Sequence, residues 1–385
     1  MALILNGSVL LLLIIYSLYI LIPTVKKVPS LKIKLFLVLV TSIHFSASIL
    51  FACFLEDFTS INDPTNFYEN ALETTQWFSL FNMGSSFISF LIFPFVKLGL
   101  TIEVLFLVFA TISFKGLLLY FELIGIDNLS EKNNLLLLFY LTPSFHFWTS
   151  FLGKEALLLW LMVLVLKKIK FKKYDWKFAL IGGIIFMIRP HVFLILLLGL
   201  GILFLMDETK SKKVKRNWIL ITMVSFLVML PVFMKFFLKI DTLNSASIQA
   251  YITDFISTTS NRGTTAISLT ETTIFTRIGY LLVMPLPFLY EIKNSLQLIV
   301  SIENIYFVLV ILGSVYYVVK QKMKWSRLTN ELRFALISGV LLMILFASYL
   351  YNLGLGNRMR IMFFPYLFYF LISTVDYSLK FKKHG

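Results

Sequence analysis

Long apolar segments, separated by short charged groups, dominate this chain of 385 residues. Each segment is about 15 to 25 residues long, which is the length that a helix needs to cross a bilayer. Hydrophobic residues make up 58% of the chain and charged residues only 14%, which excludes a soluble globular protein. Membrane β-strands would alternate in polarity, and these segments do not. The sequence therefore predicts an all-α, polytopic integral membrane protein with a single transmembrane domain over residues 1–385.

The lysines and arginines predict how the chain is oriented. The net charge of +15 is concentrated in clusters at the ends of apolar segments, such as Lys167 to Lys173 and Lys210 to Arg216. Such clusters lie in the cytoplasm under the positive-inside rule. A topology built on this rule puts 24 of the 35 Lys and Arg residues inside. The charge is therefore explained without nucleic acid, and we expect a multi-pass protein of the cytoplasmic (inner) membrane.

The same rule predicts that two apolar segments do not cross the membrane. The basic groups at 26–34 and 167–177 must both be cytoplasmic, but counting every apolar segment between them as a crossing puts the second group outside. Residues 80–98, interrupted by Pro94, are the best candidate for a juxtamembrane piece at the outer interface. Residues 277–290, which contain two prolines, are predicted not to cross the membrane by the same argument. The result is about 10 to 11 transmembrane helices plus in-plane juxtamembrane helices.

Two polar segments are predicted to be outer loops. The first, residues 55–79, contains the stretch 56–71, which has an unusual density of acid for this chain. Residues 65–77 within it have the pattern of a short amphipathic helix lying in the interface plane. The second loop, residues 239–276, is rich in Ser, Thr and Asn.

Four outer turns hold the candidate site residues. Charged groups near membrane depth are costly unless paired, so such residues are functional candidates. Each also has a structural alternative: solvated acids, a local ion pair at a helix start, or arginines that reach to lipid headgroups. The candidates are Asp57, Asp63 and Tyr68; Lys154 and Glu155; Arg189 and His191; and Arg358 and Arg360.

The chemistry of these side chains suits transfer from a lipid phosphate. Cations can stabilise a phosphate leaving group, and a carboxylate can take the proton of an attacking hydroxyl. Closely spaced Arg358 and Arg360 suit a phosphate or pyrophosphate. His146 and His191 are isolated and are expected to hydrogen-bond or pack. No metal cluster is evident and no cofactor is indicated, but a divalent metal ion stays open, since Asp57 and Asp63 could give it two oxygens.

Nucleotide-dependent and hydrolase chemistry find no support in the sequence. It contains no P-loop, GxSxG, HExxH, CxxC or glycine-rich dinucleotide motif. The single cysteine, Cys53, lies in an apolar segment and cannot form an intrachain disulfide.

The arrangement resembles the GT-C superfamily of polyprenyl-phosphate-dependent glycosyltransferases, particularly its protein-mannosyltransferase and aminoarabinose-transferase branch. Those enzymes have an acidic motif followed by Tyr and Ala in the first outer loop, as in residues 63–71 here. In-plane juxtamembrane helices follow it, and an Arg, an apolar stretch and Pro lie near the last outer turn, as in residues 358–365. This chain departs from the family in having Pro64 after Asp63 instead of a second acid.

The resemblance implies an inverting glycosyltransferase with its active site on the extracytoplasmic face. It would move a sugar from a polyprenyl-phosphate donor to an extracytoplasmic glycan, lipid or protein acceptor, in contact with membrane lipids. Asp63 would be the catalytic carboxylate, with Asp57 as its substitute, and Arg358 or Arg360 would hold the donor phosphate. Tyr68, Lys154, Glu155, Arg189 and His191 complete the expected binding set.

Two alternatives remain open. A surface-polysaccharide polymerase or ligase would act on repeats linked to a lipid pyrophosphate and would also use outer arginines. A flippase or transporter of lipid-linked glycans would commonly show internal repeats with broken helices near the midplane. The sequence has no convincing repeat, and its candidate charges lie on one side.

Overall fold

The computed structural model describes residues 2–53, 62–125, 137–208, 211–236, 244–259, 265–320 and 325–381. These residues are almost entirely helical and contain no strand, apart from a single bridge between Ala266 and Asn352. They form two compact units, residues 1–188 and 189–385. The prediction of an all-helical chain is confirmed. The single-domain prediction stays a prediction.

The first unit contains eight α-helices among its described residues. They are α1 (Ala2–Lys27), α2 (Leu31–Cys53), α3 (Asn62–Glu73), α4 (Ser85–Lys97), α5 (Ile102–Ile124), α6 (Pro143–Thr149), α7 (Lys154–Lys170) and α8 (Trp176–Ile188). Short 3-10 helices span Trp77–Leu80 and Leu138–Leu141. The predicted amphipathic helix is therefore present as α3, and the predicted juxtamembrane segment holds α4 with Pro94 inside it.

The second unit contains seven α-helices among its described residues. They are α9 (Pro190–Met206), α10 (Lys212–Phe236), α11 (Ser245–Thr259), α12 (Ile274–Val283), α13 (Ser295–Lys320), α14 (Asn330–Ser348) and α15 (Leu353–Phe381). A 3-10 turn spans Trp325–Arg327. The unit begins at Arg189, whose position before Pro190 disfavours a helical backbone and separates α8 from α9. The predicted second outer loop is not wholly irregular, because α11 lies within it.

Five described helices are long and apolar enough to cross a membrane. They are Leu3–Lys27, Leu31–Cys53, Ile102–Ile124, Ser295–Lys320 and Asn330–Ser348. The pair α6 and α7, bent by 105° at residues 150–153, would be a sixth if it forms one broken span. Length and composition therefore support a multi-pass membrane protein. The count of about 10 to 11 crossings stays a prediction.

Helix α5 is the core of the first unit. It packs against α1, α2 and α7, and most of its side chains are buried. Gly116 permits the close approach to α7, since a Cβ atom built there would lie 2.8 Å from the Cα atom of Trp160. Helix α1, by contrast, is apolar but largely exposed, as expected of a helix that faces lipid.

Candidate functional site

Asp63 lies in the first turn of α3 and is half-buried. A carboxylate is favoured there by the positive end of the helix dipole. Pro64 is also tolerated in a first turn, because its missing N–H has no helical partner at that position. The departure from the GT-C motif at Pro64 is thus compatible with the local helix. Asp57 lies outside the described residues.

Lys154 connects the start of α7 with α3 and α4. Its ammonium donates a hydrogen bond to the Ser85 hydroxyl at 2.9 Å and lies 5.8 Å from the centre of the Phe67 ring. Phe67 is four residues after Asp63, so the two side chains emerge from the same face of α3. The structure therefore brings the Asp63 carboxylate and the Lys154 ammonium to one side of α3.

Glu155, the next residue in α7, is fully buried. Its Oε2 atom would lie 3.4 Å from a Cβ atom built on Gly153, so the carboxylate turns back towards the start of its own helix. That position is stabilised by the helix dipole. The predicted contact between Glu155 and a substrate stays a prediction.

Two hydrogen bonds hold α3 against the end of α4. The Tyr68 hydroxyl donates to the Leu100 carbonyl at 3.1 Å, and the Lys97 ammonium donates to the Leu72 carbonyl at 2.7 Å. Burial, and then the charge of Glu103, raise the pKa of the Tyr68 phenol above its ordinary value. Tyr68 thus fixes the helix that carries Asp63.

Arg189 and His191 begin α9 in the second unit. The His191 ring is 9% exposed and contacts the rings of Phe346 and Tyr349 edge-on, at centroid distances of 6.3 and 6.4 Å. Arg189 is half-buried and acts electrostatically on the Tyr349 hydroxyl. These contacts pack His191 among aromatic rings, and its predicted binding role stays a prediction.

Aromatic side chains surround this start of α9. Tyr251 and Tyr351 also act electrostatically on Tyr349, and Phe255 contacts the rings of both. Three tyrosine hydroxyls and one guanidinium thus lie near one another in the second unit. We call Arg189, Tyr251, Tyr349 and Tyr351 the tyrosine cluster.

Arg360 is buried and its guanidinium bonds to protein groups. Nε donates to the Leu281 carbonyl at 2.7 Å, Nη2 donates to the Met284 carbonyl at 2.7 Å, and Nη1 donates to Asn304 Oδ1 at 2.5 Å. These bonds join the end of α12 and the middle of α13 to α15. The geometry favours a structural role for Arg360, which holds three helices together.

The prediction that Arg358 and Arg360 lie in an outer turn is wrong. Helix α15 begins at Leu353, and Asn352 Oδ1 accepts a hydrogen bond from the Leu355 N–H at 2.6 Å at its first turn. Side chains two positions apart on a helix point in different directions. The two guanidiniums are therefore not aimed together at one phosphate, and a phosphate-binding role of either one stays a prediction.

A buried histidine pair was missed in the sequence. His146 is not isolated, because its Nδ1 atom lies 3.1 Å from Nδ1 of His44. The Nε2 atom of each ring contacts a backbone carbonyl oxygen. For His44 this is the Ala110 oxygen at 3.0 Å, and for His146 it is the Tyr140 oxygen at 2.7 Å. A histidine inside the apolar segment that forms α2 was the available signal, since polar groups at membrane depth are costly and need partners.

The described residues contain no group of three or more His, Cys, Asp or Glu side chains that could hold a metal ion. Because Asp57 lies outside them, the Asp57 and Asp63 pair is not tested as a metal site. Asp63, Tyr68, Lys154 and Glu155 belong to the first unit, and Arg189, His191, Arg358 and Arg360 belong to the second.

Comparison with protein-family models, with curated proteins and with solved structures gives no match. Fold and helix composition define the class: this is an all-helical protein with several apolar helices suited to a membrane.

Proposed function

We propose that this protein is a membrane glycosyltransferase of GT-C-like architecture that uses a polyprenyl-phosphate sugar donor. The acceptor is an extracytoplasmic glycan, lipid or protein. One observation carries the proposal: Asp63 lies one helical turn before Phe67, and the Lys154 ammonium lies 5.8 Å from the centre of the Phe67 ring, so a carboxylate and a cation share one face of α3. In a transfer from phosphate, the carboxylate can take the proton of the acceptor and the cation can stabilise the leaving phosphate.

In the proposed step, an acceptor hydroxyl oxygen attacks the anomeric carbon of the donor sugar. The bond from that carbon to the phosphate oxygen breaks, and the phosphate keeps the electron pair. The hydroxyl proton passes to the Asp63 carboxylate. Lys154 stabilises the negative charge that develops on the phosphate, and inversion follows because attack and departure occur on opposite faces of the sugar carbon.

The neighbouring residues position this pair. Ser85 accepts the hydrogen bond that fixes the Lys154 ammonium, and Tyr68 anchors α3 through the Leu100 carbonyl. Glu155 stabilises the start of α7 from inside. Phosphate binding by Arg189 and by Arg358, which belong to the second unit, is a separate prediction, and Arg360 joins α12 and α13 to α15.

A second candidate function is a surface-polysaccharide polymerase or ligase. The tyrosine cluster favours it, because several aromatic rings around one guanidinium suit a longer glycan next to a pyrophosphate. The two functions differ in the donor that they consume: a monosaccharide on a lipid monophosphate, or an oligosaccharide on a lipid pyrophosphate.

The test is donor turnover by the full-length protein in proteoliposomes that contain membrane-extracted acceptors. Labelled polyprenyl-phosphate monosaccharide and polyprenyl-pyrophosphate oligosaccharide are supplied separately, and release of the lipid phosphate is measured. Asp63→Asn removes the general base and Lys154→Gln removes the cation, and each should reduce turnover by about 100-fold or more.

Asp175→Asn and Lys177→Gln are the matched controls, since both residues are exposed and lie in a separate basic segment. Full activity of Asp63→Asn would remove the assignment of the base. Turnover of the pyrophosphate donor only would establish the second function, and turnover of neither donor would overturn both.

A further inference from the structure

Lys115 lies in the interior of α5, one of the helices long and apolar enough to cross a membrane. It is nine residues before the end of that helix at Ile124, which is about 14 Å of helix axis. Since the hydrocarbon core of a bilayer is about 30 Å thick, a spanning α5 puts the backbone of Lys115 well inside that core. Side chains of a helix tilt towards its N-terminus, and for Lys115 this direction leads away from the nearer helix end.

The Lys115 side chain is exposed, and its ammonium contacts both α1 and α7. It donates a hydrogen bond to the Tyr16 hydroxyl of α1 at 3.0 Å. It also lies 5.7 Å from the centre of the Tyr16 ring and 5.5 Å from the centre of the Trp160 ring of α7. Aromatic faces attract a cation, so the two rings hold the ammonium in place. Because Tyr16 is itself eleven residues before the end of α1, the ammonium stays at the depth of the helix interiors.

The charge of Lys115 is not balanced by an acid, since it forms no ion pair with any residue that the structure describes. The acids of the three helices around it, Glu103, Glu122 and Glu155, all lie within three residues of a helix end. An ammonium has three N–H donors, and the Tyr16 hydroxyl accepts from one of them. Charged groups at membrane depth are costly unless paired, so Lys115 calls for an acidic acceptor from outside the described chain.

The surface around the ammonium is apolar and open. Helix α1 packs on α5 but leaves most of its own side chains exposed, including Leu12 and Tyr19. The anionic headgroups of lipids lie outside the hydrocarbon core, so the acceptor at this depth has to belong to another membrane helix.

A second copy of this chain does not fit this requirement. Symmetric contact through Lys115 would bring two like charges together. Among the five described helices suited to a membrane span, Glu303 is the one acid away from a helix end, and it is buried. The acceptor therefore has to come from a different protein.

From these contacts we infer that the face formed by Tyr16, Lys115 and Trp160 docks a transmembrane helix of a partner protein that carries an Asp or Glu near the middle of its span. The carboxylate accepts hydrogen bonds from the Lys115 ammonium, and the apolar side chains beside it contact Leu12 and Tyr19. The site is independent of the proposed transferase reaction, which uses residues at the starts of α3 and α7.

The test is binding of a designed helix to the full-length protein in lipid vesicles. The probe is a leucine-rich peptide of about 20 residues with one Asp at its centre, and the matched probe has Leu at that position. Cys53, the single cysteine, is exposed and carries a fluorescent donor, while the peptide carries the acceptor. Energy transfer should show that the Asp peptide binds about tenfold more tightly than the Leu peptide, the effect of a polar contact between membrane helices. This comparison uses the wild-type chain and depends on no variant.

Two substitutions of Lys115 make the assignment specific. Lys115→Met should abolish the preference for the Asp peptide. Lys115→Glu should reverse the preference and favour a peptide with Lys at its centre, because the two charges are then exchanged. Lys26→Met is the matched control, since Lys26 is exposed at the end of α1 and lies away from the docking face. It should leave the preference for the Asp peptide unchanged.

Three results would overturn the inference. Equal binding of the Asp and Leu peptides to the wild type would show that Tyr16 and Trp160 alone satisfy the ammonium. Equal losses in Lys115→Met and Lys26→Met would assign the preference to the overall charge of the protein. Energy transfer between donor-labelled and acceptor-labelled copies of the chain, lost in Lys115→Met, would identify the face as a contact between copies instead.

Discussion

The Nδ1 atoms of His44 and His146 lie 3.1 Å apart, and both rings are buried within the first unit. A contact between two ring nitrogens at this distance needs a proton on one of them. Ser113 extends the contact, because its hydroxyl lies 3.0 Å from His44 Nε2 and 2.6 Å from the Thr149 carbonyl. The pair thus joins α2 to α5 and to the short helix α6, just before the bend at residues 150–153.

Replacing His44 should destabilise the protein substantially. His44→Leu leaves His146 Nδ1 buried without its partner, which costs about 1 to 3 kcal/mol. Thermal unfolding of the purified protein in detergent measures the change. Thr41→Val, in the same helix, is the control, since the Thr41 hydroxyl bonds only to the Leu37 carbonyl one turn away. Equal melting temperatures for the two variants would show that the histidine pair does not stabilise the fold.

A methyl group at Gly116 should weaken the packing of α5 on α7. Alanine favours a helix by about 1 kcal/mol over glycine when space allows. At Gly116, however, the new Cβ atom would meet the Trp160 backbone at 2.8 Å, whereas at Gly183 nothing lies within 4 Å. We expect Gly116→Ala to lower the melting temperature and Gly183→Ala to leave it unchanged or raise it. The opposite order would mean that α5 and α7 are farther apart.

Arg360 and Arg358 should respond differently to removal of their charge. Arg360→Gln removes the hydrogen-bond donors of the Leu281 and Met284 carbonyls and of the Asn304 side chain. Each buried group that stays without a partner costs about 1 to 3 kcal/mol of folding free energy. Its melting temperature should fall well below that of Arg358→Gln. If Arg358→Gln retains its stability but loses donor turnover, Arg358 is the phosphate ligand. A stable but inactive Arg360→Gln would instead restore that role to Arg360.

Tyr68 should give the stability a dependence on alkaline pH. Its folded-state pKa is raised, so the folded protein holds the phenolic proton more tightly than the unfolded chain does. The resulting contribution is fully present below about pH 10, the ordinary value for tyrosine, and is lost as the pH rises through the folded pKa. Melting temperatures between about pH 8 and 11 should therefore fall more steeply for the wild type than for Tyr68→Phe.

A Tyr68→Phe curve that runs parallel to that of the wild type would show that folding does not raise the pKa of Tyr68.

The class of protein was determined by the sequence. Long apolar segments were predicted to be membrane helices, and five described helices are long and apolar enough to cross a membrane. Such predictions succeed because apolar length is a local property and a bilayer imposes the same requirement on every spanning segment. The short helix α3 was predictable for the same reason, from its amphipathic pattern.

Only the tertiary structure decided which polar side chains meet. Lys154 reaches Ser85 across 69 positions of sequence, His44 meets His146 across 102, and Arg360 caps the Leu281 carbonyl across 79. These partners depend on which helices pack together, and a local pattern of residues does not contain that information. The two arginines of α15 show the consequence: two positions apart in sequence, they are directed apart by a helix whose first turn is capped by the Asn352 side chain.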